Sequence, residues 1–193
     1  MRGEVVGTMR WLPGSHSPPR LGELMFDSLV LGVDPGIARL GLAVVGREGR
    51  RPVLVWADTM QTPAGMPEAQ RLWCVADAVR EAIAAHGPSS VAIERVAFNR
   101  NQVSALTVAR ATGAVMVVAA DAGLPVQEYS PTEVKSVVTG AGNADKSQVR
   151  QALVRMHGLR DVPTQADAVD AVAIALTHLT GARLRAAARS GAR

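Results

Sequence analysis

The stretch "LVLGVDPGIARLGLAVV", residues 29–45, decides the fold. Two apolar runs flank an Asp-Pro-Gly sequence, which predicts two strands, 28–33 and 40–47, joined by a tight turn. The first run has the composition of a buried strand, yet it ends on the carboxylate of Asp34. A buried carboxylate is costly unless a cation or hydrogen-bond donors compensate it. The function therefore depends on which other charged groups lie near Asp34.

Short apolar strands and amphipathic helices alternate after this hairpin. Further strands are predicted at 52–57, at 90–94 ("SVAIE") and at "LPVQEYS". Helices are predicted at 67–86, from about Gln102, after the capping sequence "SPTE" (130–133), and at 146–157. A last helix is predicted from Gln165 to about Leu184, with Thr164 as its cap. Three strands followed by alternating helices and strands are typical of an α/β domain with a mixed sheet.

Length and composition predict one soluble domain. The 193 residues, 48% of them hydrophobic, suffice for a single core. Residues 1–27 are rich in proline and glycine and are expected to form a disordered extension. We expect the folded domain to span 28–182 and a basic, flexible tail to span 183–193. The apolar run 103–122 contains serine, threonine and arginine and is predicted to be a buried or interface helix, not a membrane span.

The charge balance favours an anionic partner. The chain has 21 basic and 17 acidic residues, a net charge of +4 and a pI near 10.2. Aromatic residues make up only 3%, so nucleic-acid contacts would depend on backbone phosphates more than on stacking. The single cysteine, Cys74, excludes an internal disulfide and a cysteine-rich zinc site. Without a convincing signal peptide, we expect a cytoplasmic protein.

Three more acids stand in apolar surroundings. Glu94 ends the strand "SVAIE", and Asp167 and Asp170 lie in "QADAVDAVAIAL" (165–176). Each has an ordinary structural explanation: Asp34 starts a turn, Glu94 pairs with Arg95, and Asp167 belongs to a first helical turn. Asp170 lies past that turn, and its spacing puts it about 5–6 Å from Asp167 at Cβ. Together the four acids predict a site for Mg²⁺ or Mn²⁺, which prefer oxygen ligands.

The motifs "VLGVDPGIARLGLAVV" (30–45), "VAIERV" (91–96), "EYSPTEVKSVVTGAGNADKSQV" (128–149) and "TQADAVDAVAIALTH" (164–178), in this order, strongly resemble the RuvC family of Holliday junction resolvases. The resemblance implies an RNase H-like fold. It also implies a homodimer that nicks two opposing strands of a four-way DNA junction in recombination and repair. The RuvA–RuvB branch-migration complex is a further implied partner.

The resemblance also implies roles for individual residues. The metal-binding, catalytic acids would be Asp34, Glu94, Asp167 and Asp170, with two Mg²⁺ per site and Mn²⁺ as a substitute. Lysines occur in the family at the positions of Lys135 and Lys146, where they would contact the scissile phosphate or, for Lys146, assist catalysis. Solvated lysines at helix ends are the alternative.

One loop departs from the family pattern. Family members commonly carry a junction-wedging aromatic three residues after the glutamate, where this chain has Ala97 followed by Phe98. Phe98 either takes over the wedge or anchors the loop. Arg100 and Asn101 in the same loop are candidates for DNA-backbone contacts. On the last helix, His178 either assists proton transfer or has a structural role.

Features of the sequence argue against four other interpretations. A nucleotide-binding P-loop in "SVVTGAGNADKSQ" would need glycine before Lys146, where the chain has Asp145. An actin-like sugar kinase would need a second domain, for which the chain is too short. An RNase H-like nuclease acting on RNA precursors would share the acids but lack "NADKSQV". A catalytically dead junction-binding module conflicts with the presence of all four acids.

Overall fold

A computed structural model of the chain describes residues 10–11, 28–95 and 102–190; the side chains of 10–11, 102–104 and 182–190 are not described. These ranges contain, in chain order, β1 (Arg10–Trp11), β2 (Leu29–Asp34), β3 (Arg39–Glu48), β4 (Arg51–Gln61), α1 (Glu68–His86), β5 (Ser90–Glu94), α2 (Gln102–Asp121), β6 (Val126–Tyr129), α3 (Pro131–Thr139), α4 (Lys146–Arg155) and α5 (Ala166–Ser190). The predicted α/β class with a mixed sheet is confirmed. Among the helices of these ranges, none combines the length and apolarity that a membrane span requires.

The strands form one sheet in the order β1-β4-β3-β2-β5-β6. The pairs β1–β4, β4–β3 and β3–β2 are antiparallel, whereas β2–β5 and β5–β6 are parallel. The parallel register pairs Val33 with Ile93. Asp34 and Glu94 are the next residues along their strands, so the two carboxylates emerge side by side at one edge of the sheet.

Helices cover both faces of the sheet. On one face α3, α4 and α5 pack against residues such as Val30, Val45 and Ala92. On the other face α1 and α2 pack against residues such as Leu31 and Val33. Because side chains of a strand alternate between faces, Asp34 and Glu94 point to the face that α5 covers.

Two glycines let the main chain of α5 lie directly on the hairpin. A Cβ atom at Gly32 would overlap the carbonyl oxygen of Ala171, and one at Gly41 would overlap that of Asp167. Gly41 is also the partner of Asp34 in the β2–β3 ladder. The close approach therefore holds the first turns of α5, with their carboxylates, above the end of β2.

Capping boxes set the starts of α3 and α4. At α3 the Ser130 main-chain N–H donates to Glu133 Oε2 (2.7 Å), and the Glu133 N–H donates to Ser130 Oγ (3.3 Å). At α4 Asp145 and Gln148 form the same reciprocal pair at 2.8 Å. Asp145, the residue that argued against a P-loop, is thus the N-cap that places Lys146 at the first position of α4.

Some elements differ from the prediction. The third strand was expected at 52–57, but β4 continues to Gln61, because residues 58–61 keep pairing with the start of β3. The polar residues Asp58 and Thr59 are buried within this part of the strand. The Val169 N–H donates to the Gln165 carbonyl (3.0 Å), so Gln165, not Thr164, directly precedes the first turn of α5.

The two ends of the chain are only partly described. Helix α5 extends past Leu184 to Ser190, into the segment expected to be a flexible tail. In the predicted extension, Arg10 and Trp11 pair with Gln61 and Met60 of β4, and the other residues before Ser28 lie outside the described ranges. The division of the chain into extension, nuclease domain and tail stays a prediction.

Replacing Gly41 by alanine should displace α5. Since the new Cβ would meet main-chain atoms of Asp167, which cannot rotate away, we expect Gly41→Ala to lower the free energy of unfolding by about 1–3 kcal/mol. Gly65→Ala in the turn before α1, where a Cβ meets nothing within 4 Å and φ is not positive, is the matched control and should be neutral or stabilising by up to about 1 kcal/mol. Urea unfolding measures both, and equal effects would contradict this packing argument.

Candidate active site

A cleft of about 320 Å³ opens where β2, β5, α3, α4 and α5 converge. Its charged lining residues are Asp34, Glu94, Asp170, Lys135 and Lys146, and its other lining residues are Pro131, Val134, Val149 and Ala173. Each charged group comes from a different element, and the elements meet only in the folded chain. The cleft thus combines three carboxylates and two ammonium groups on a largely apolar floor.

The fourth predicted acid lies beside the cleft. Asp167 is one helical turn before Asp170 on α5, but it is not among the residues that line the cleft. Its Oδ2 accepts a hydrogen bond from Arg39 Nε. The structure thus brings three of the four predicted acids around one cleft and leaves the fourth adjacent, paired with a base.

A second ion pair lies inside the cleft. Lys146 Nζ donates to Asp170 Oδ2 at 2.8 Å. This hydrogen bond raises the pKa of the Lys146 ammonium, so the group stays charged. The Lys146 side chain is 70% exposed, and an ion pair with so exposed a partner is weak. The ammonium can therefore move to another anion at little cost.

The ionisation of two acids is opposed by their surroundings. Burial, followed by repulsion from Glu94, Asp170 and Asp167, raises the pKa of Asp34 from 3.8 to about 7. Burial and repulsion from Asp170 likewise raise the pKa of Glu94, although Lys146 and Lys135 oppose this shift. Negative charge is thus concentrated beyond what the two lysines compensate, as expected of a site that receives additional cations.

The donor set suits a hard divalent cation. Carboxylate oxygens are the ligands that Mg²⁺ and Mn²⁺ prefer, and a cation would relieve the repulsion around Asp34. The side chains are not yet arranged around one point, however: among the described residues no three His, Cys, Asp or Glu side chains form a group that could hold a metal ion. Two of the acids are instead engaged in ion pairs, Asp170 with Lys146 and Asp167 with Arg39.

Of the remaining predicted site residues, only His178 is among the described residues. Phe98, Arg100 and Asn101 lie outside the described residues, so their assignments stay predictions. His178 does not line the cleft; its Nδ1 shares a 3.1 Å hydrogen bond with Tyr129 Oη, and the two rings meet edge to face. This contact ties α5 to the end of β6, in agreement with the structural alternative for His178.

Two signals in the sequence went unused. Arg39, five residues after Asp34, was not singled out, although it makes the ion pair with Asp167. The whole chain contains only two lysines, Lys135 and Lys146, against 19 arginines, and both line the cleft. A rare residue type confined to the two motifs around the acids could have marked these lysines as site residues.

The chain matches known proteins over most of its length. The family model described as crossover junction endodeoxyribonuclease RuvC matches residues 30–178. The crossover junction endodeoxyribonuclease RuvC of Leifsonia xyli subsp. xyli is 44% identical over 164 residues, 84% of this chain and 79% of the relative. That of Frankia alni is 47% identical over 164 residues, 82% of this chain and 83% of the relative.

A solved structure agrees in fold as well. The structure described as T. thermophilus RuvC in complex with Holliday junction substrate superposes with a TM-score of 0.76 at 37% identity, covering 81% of this chain and 96% of that chain. It supports an RNase H-like assignment for the mixed sheet and its flanking helices.

Replacing Asp34 by asparagine should stabilise the metal-free protein at neutral and alkaline pH. Because folding raises the pKa of Asp34 from 3.8 to about 7, the folded state binds more protons, and stability present below pH 4 is lost as the pH rises through 7. Asp34→Asn removes this loss. After allowance for solvent screening we expect about 2 kcal/mol, or a Tm about 4–8 °C above wild type, at pH 8 in a chelator, and little difference at pH 4.

Thermal unfolding at the two pH values measures this effect. Asp121→Asn, at an exposed site at the end of α2, is the control, and a gain as large as that of Asp34→Asn would mean that removing any carboxylate has this effect. A Tm gain for Asp34→Asn that is the same at pH 4 and pH 8 would contradict the electrostatic origin.

Proposed function

The chain belongs to the RuvC family of crossover junction endodeoxyribonucleases, and from this we propose that it resolves four-way (Holliday) DNA junctions by paired nicks in opposing strands. This activity would serve homologous recombination and DNA repair. The observation that carries the proposal is the cleft in which Asp34, Glu94 and Asp170 meet Lys135 and Lys146 at one edge of the sheet. In the sequence, these acids are related only by their apolar surroundings. In the structure, they line one solvent-open cleft together with two lysines, whose ammonium groups are suited to bind a phosphate.

We propose that the carboxylates hold divalent metal ions, on which this family generally depends. The ligands would be Asp34, Glu94 and Asp170, joined by Asp167, with two Mg²⁺ per site and Mn²⁺ as a substitute. When bound, such ions lower the pKa of attacking water and stabilise the leaving 3′-oxygen of a phosphodiester. The chain's own contribution is to fix the carboxylates on β2, β5 and α5, so that little reorganisation is needed during the reaction.

The two lysines would bind the scissile phosphate. Lys146 already holds its ammonium in the cleft, on Asp170 Oδ2 at 2.8 Å. Once released from Asp170, this ammonium would neutralise charge developing on the phosphate. Lys135 lines the same cleft from α3 and would contact a neighbouring phosphate oxygen. In the segment that follows Glu94 in sequence, we propose DNA contacts by Phe98, Arg100 and Asn101.

A single gel tests the substrate class. The protein is incubated with a synthetic four-way junction, linear duplex DNA and an RNA/DNA hybrid, each with and without Mg²⁺. A resolvase should cut only the junction, symmetrically and only with metal. Preferred cutting of the hybrid would support the RNase H-like alternative, and tight junction binding without cleavage would support the dead binding module.

Removing any acid of the cleft should abolish cleavage and spare binding. We expect Asp34→Asn, Glu94→Gln and Asp170→Asn each to lower the junction cleavage rate by about 10²–10³-fold or more, because each removes a proposed metal ligand. Binding at low metal should be retained or tighten, since negative charge near the phosphates is reduced. Single-turnover cleavage and mobility shift measure the two effects, with Asp121→Asn as control. Parallel loss of binding and cleavage would mean that the acids are structural.

We propose further that the protein acts as a homodimer through α2. On this helix Leu106 is 52% and Val117 is 68% exposed, and Gly113 between them is exposed as well. These residues are spaced seven and four positions apart and lie on one exposed side of α2, together with Arg110, which pairs with Glu68. A two-fold pairing of this side of α2 would present two clefts to the two opposing strands of a junction. The RuvA–RuvB complex is a further proposed partner.

A charge on the exposed side of α2 should separate the protomers. We expect wild type to sediment as a dimer at micromolar concentration and Val117→Glu to weaken dimerisation by about 100-fold, because two unpaired carboxylates would be buried at the interface. The variant should lose paired nicking. Val154→Glu, at a 44% exposed valine on α4, is the matched control and should remain dimeric. Undiminished dimerisation of Val117→Glu would place the interface elsewhere.

A further inference from the structure

Arg39 connects the hairpin to the acid that stands outside the cleft. It is the first residue of β3 and lies two positions before Gly41, hence on the same face of the sheet, the face that α5 covers. The main chain of Asp167 lies directly over Gly41. Arg39 Nε donates to Asp167 Oδ2, although the two residues are 128 positions apart in sequence. The contact therefore depends on how α5 is seated on the hairpin.

The two ion pairs of the site have opposite effects on their acids. Asp170 pairs with Lys146, and both residues line the cleft, so this pair keeps its carboxylate inside. Asp167 pairs with Arg39, and neither residue lines the cleft. Asp167 is nevertheless close enough to contribute to the raised pKa of Asp34. Because Asp167 lies one helical turn before Asp170, which lines the cleft, the two side chains start from the same face of α5.

The Arg39 pair is suited to exchange partners. The Arg39 side chain is 46% exposed and that of Asp167 is 21% exposed, and such pairs contribute little net stability. A guanidinium has five N–H donors and can bind a phosphate through two of them at once. The contact with Asp167 uses the Nε donor, so a phosphate could form an additional hydrogen bond. A DNA phosphate beside the cleft would therefore compete well for Arg39.

We propose that Arg39 is a positioning residue that holds Asp167 outside the cleft until a phosphodiester anion of bound DNA takes over its guanidinium. Asp167 then turns into the cleft as its fourth carboxylate. The inference rests on the proposed function for the identity of the anion. It links completion of the metal site to the presence of substrate, so that the full ligand set forms only when DNA is bound.

Binding of Mn²⁺ in the absence of DNA tests whether Arg39 holds Asp167 outside the cleft. Free Mn²⁺ is titrated by electron paramagnetic resonance into wild type, Arg39→Gln and Arg39→Lys. We expect Arg39→Gln to bind Mn²⁺ about fivefold more tightly, the factor that a half-exposed ion pair can supply. Arg39→Lys, which keeps a cation opposite Asp167, should stay within twofold of wild type.

A double-mutant cycle separates positioning from a general charge effect. In an Asp167→Asn background the Arg39→Gln change should leave Mn²⁺ affinity unaltered if Arg39 acts through Asp167. An equal gain in both backgrounds would mean that removal of a positive charge is the cause, and it would overturn the proposal. Unchanged or weakened Mn²⁺ binding by Arg39→Gln would overturn it as well.

The salt dependence of DNA binding tests whether a DNA phosphate takes over the Arg39 guanidinium. The affinity for a linear duplex, without metal, is measured against salt concentration, and the slope for Arg39→Gln should be smaller by about one phosphate contact. An unchanged slope would overturn the exchange of partners. Failure of the proposed function itself has another signature, the absence of junction cleavage by wild type with Mg²⁺, and it leaves the DNA-free Mn²⁺ titrations interpretable.

Discussion

The site depends on one close contact, the main chain of α5 lying on two glycines of the β2–β3 hairpin. At Gly32 and Gly41 any larger residue would meet carbonyl oxygens of the helix. A helix held by side-chain packing alone would stand farther from the sheet, at the usual separation that side chains impose. The contact instead brings Asp170 over the strand end that carries Asp34. The distance between helix and sheet is therefore what converts acids that are distant in sequence into one site.

This arrangement leaves the fold with an electrostatic cost. Burial and mutual repulsion oppose ionisation of Asp34 and Glu94, and functional sites commonly retain such unfavourable terms. The chain limits the cost with Lys146 on Asp170 and Arg39 on Asp167. Both partners are partly exposed, so the compensation is weak and reversible. The same ion pairs thus stabilise the DNA-free protein and are weak enough to be replaced when cations bind the acids.

The sequence predicted the architecture and the convergence of Asp34, Glu94 and Asp170, since strand periodicity and parallel pairing determine which residues share an edge and a face. It did not predict that Asp167 would point away from the cleft. Helical spacing determines the face of the helix on which a side chain begins, but it does not determine the rotamer or the hydrogen-bond partner of that side chain. Arg39 escaped notice for the same reason, as its contact joins residues 128 positions apart. The full length of β4 was missed because Asp58 and Thr59 are buried polar residues, which pattern reasoning assigns to turns.

The restriction of lysine to two positions has a practical consequence. With 19 arginines elsewhere and only Lys135 and Lys146 carrying side-chain amines, a reagent selective for primary amines can modify the chain only inside the cleft and at its α-amino group. Acylation mapped by mass spectrometry would thus act as a footprint of the cleft. Protection of these amines from acylation would report occupancy of the cleft, and no engineered label would be needed.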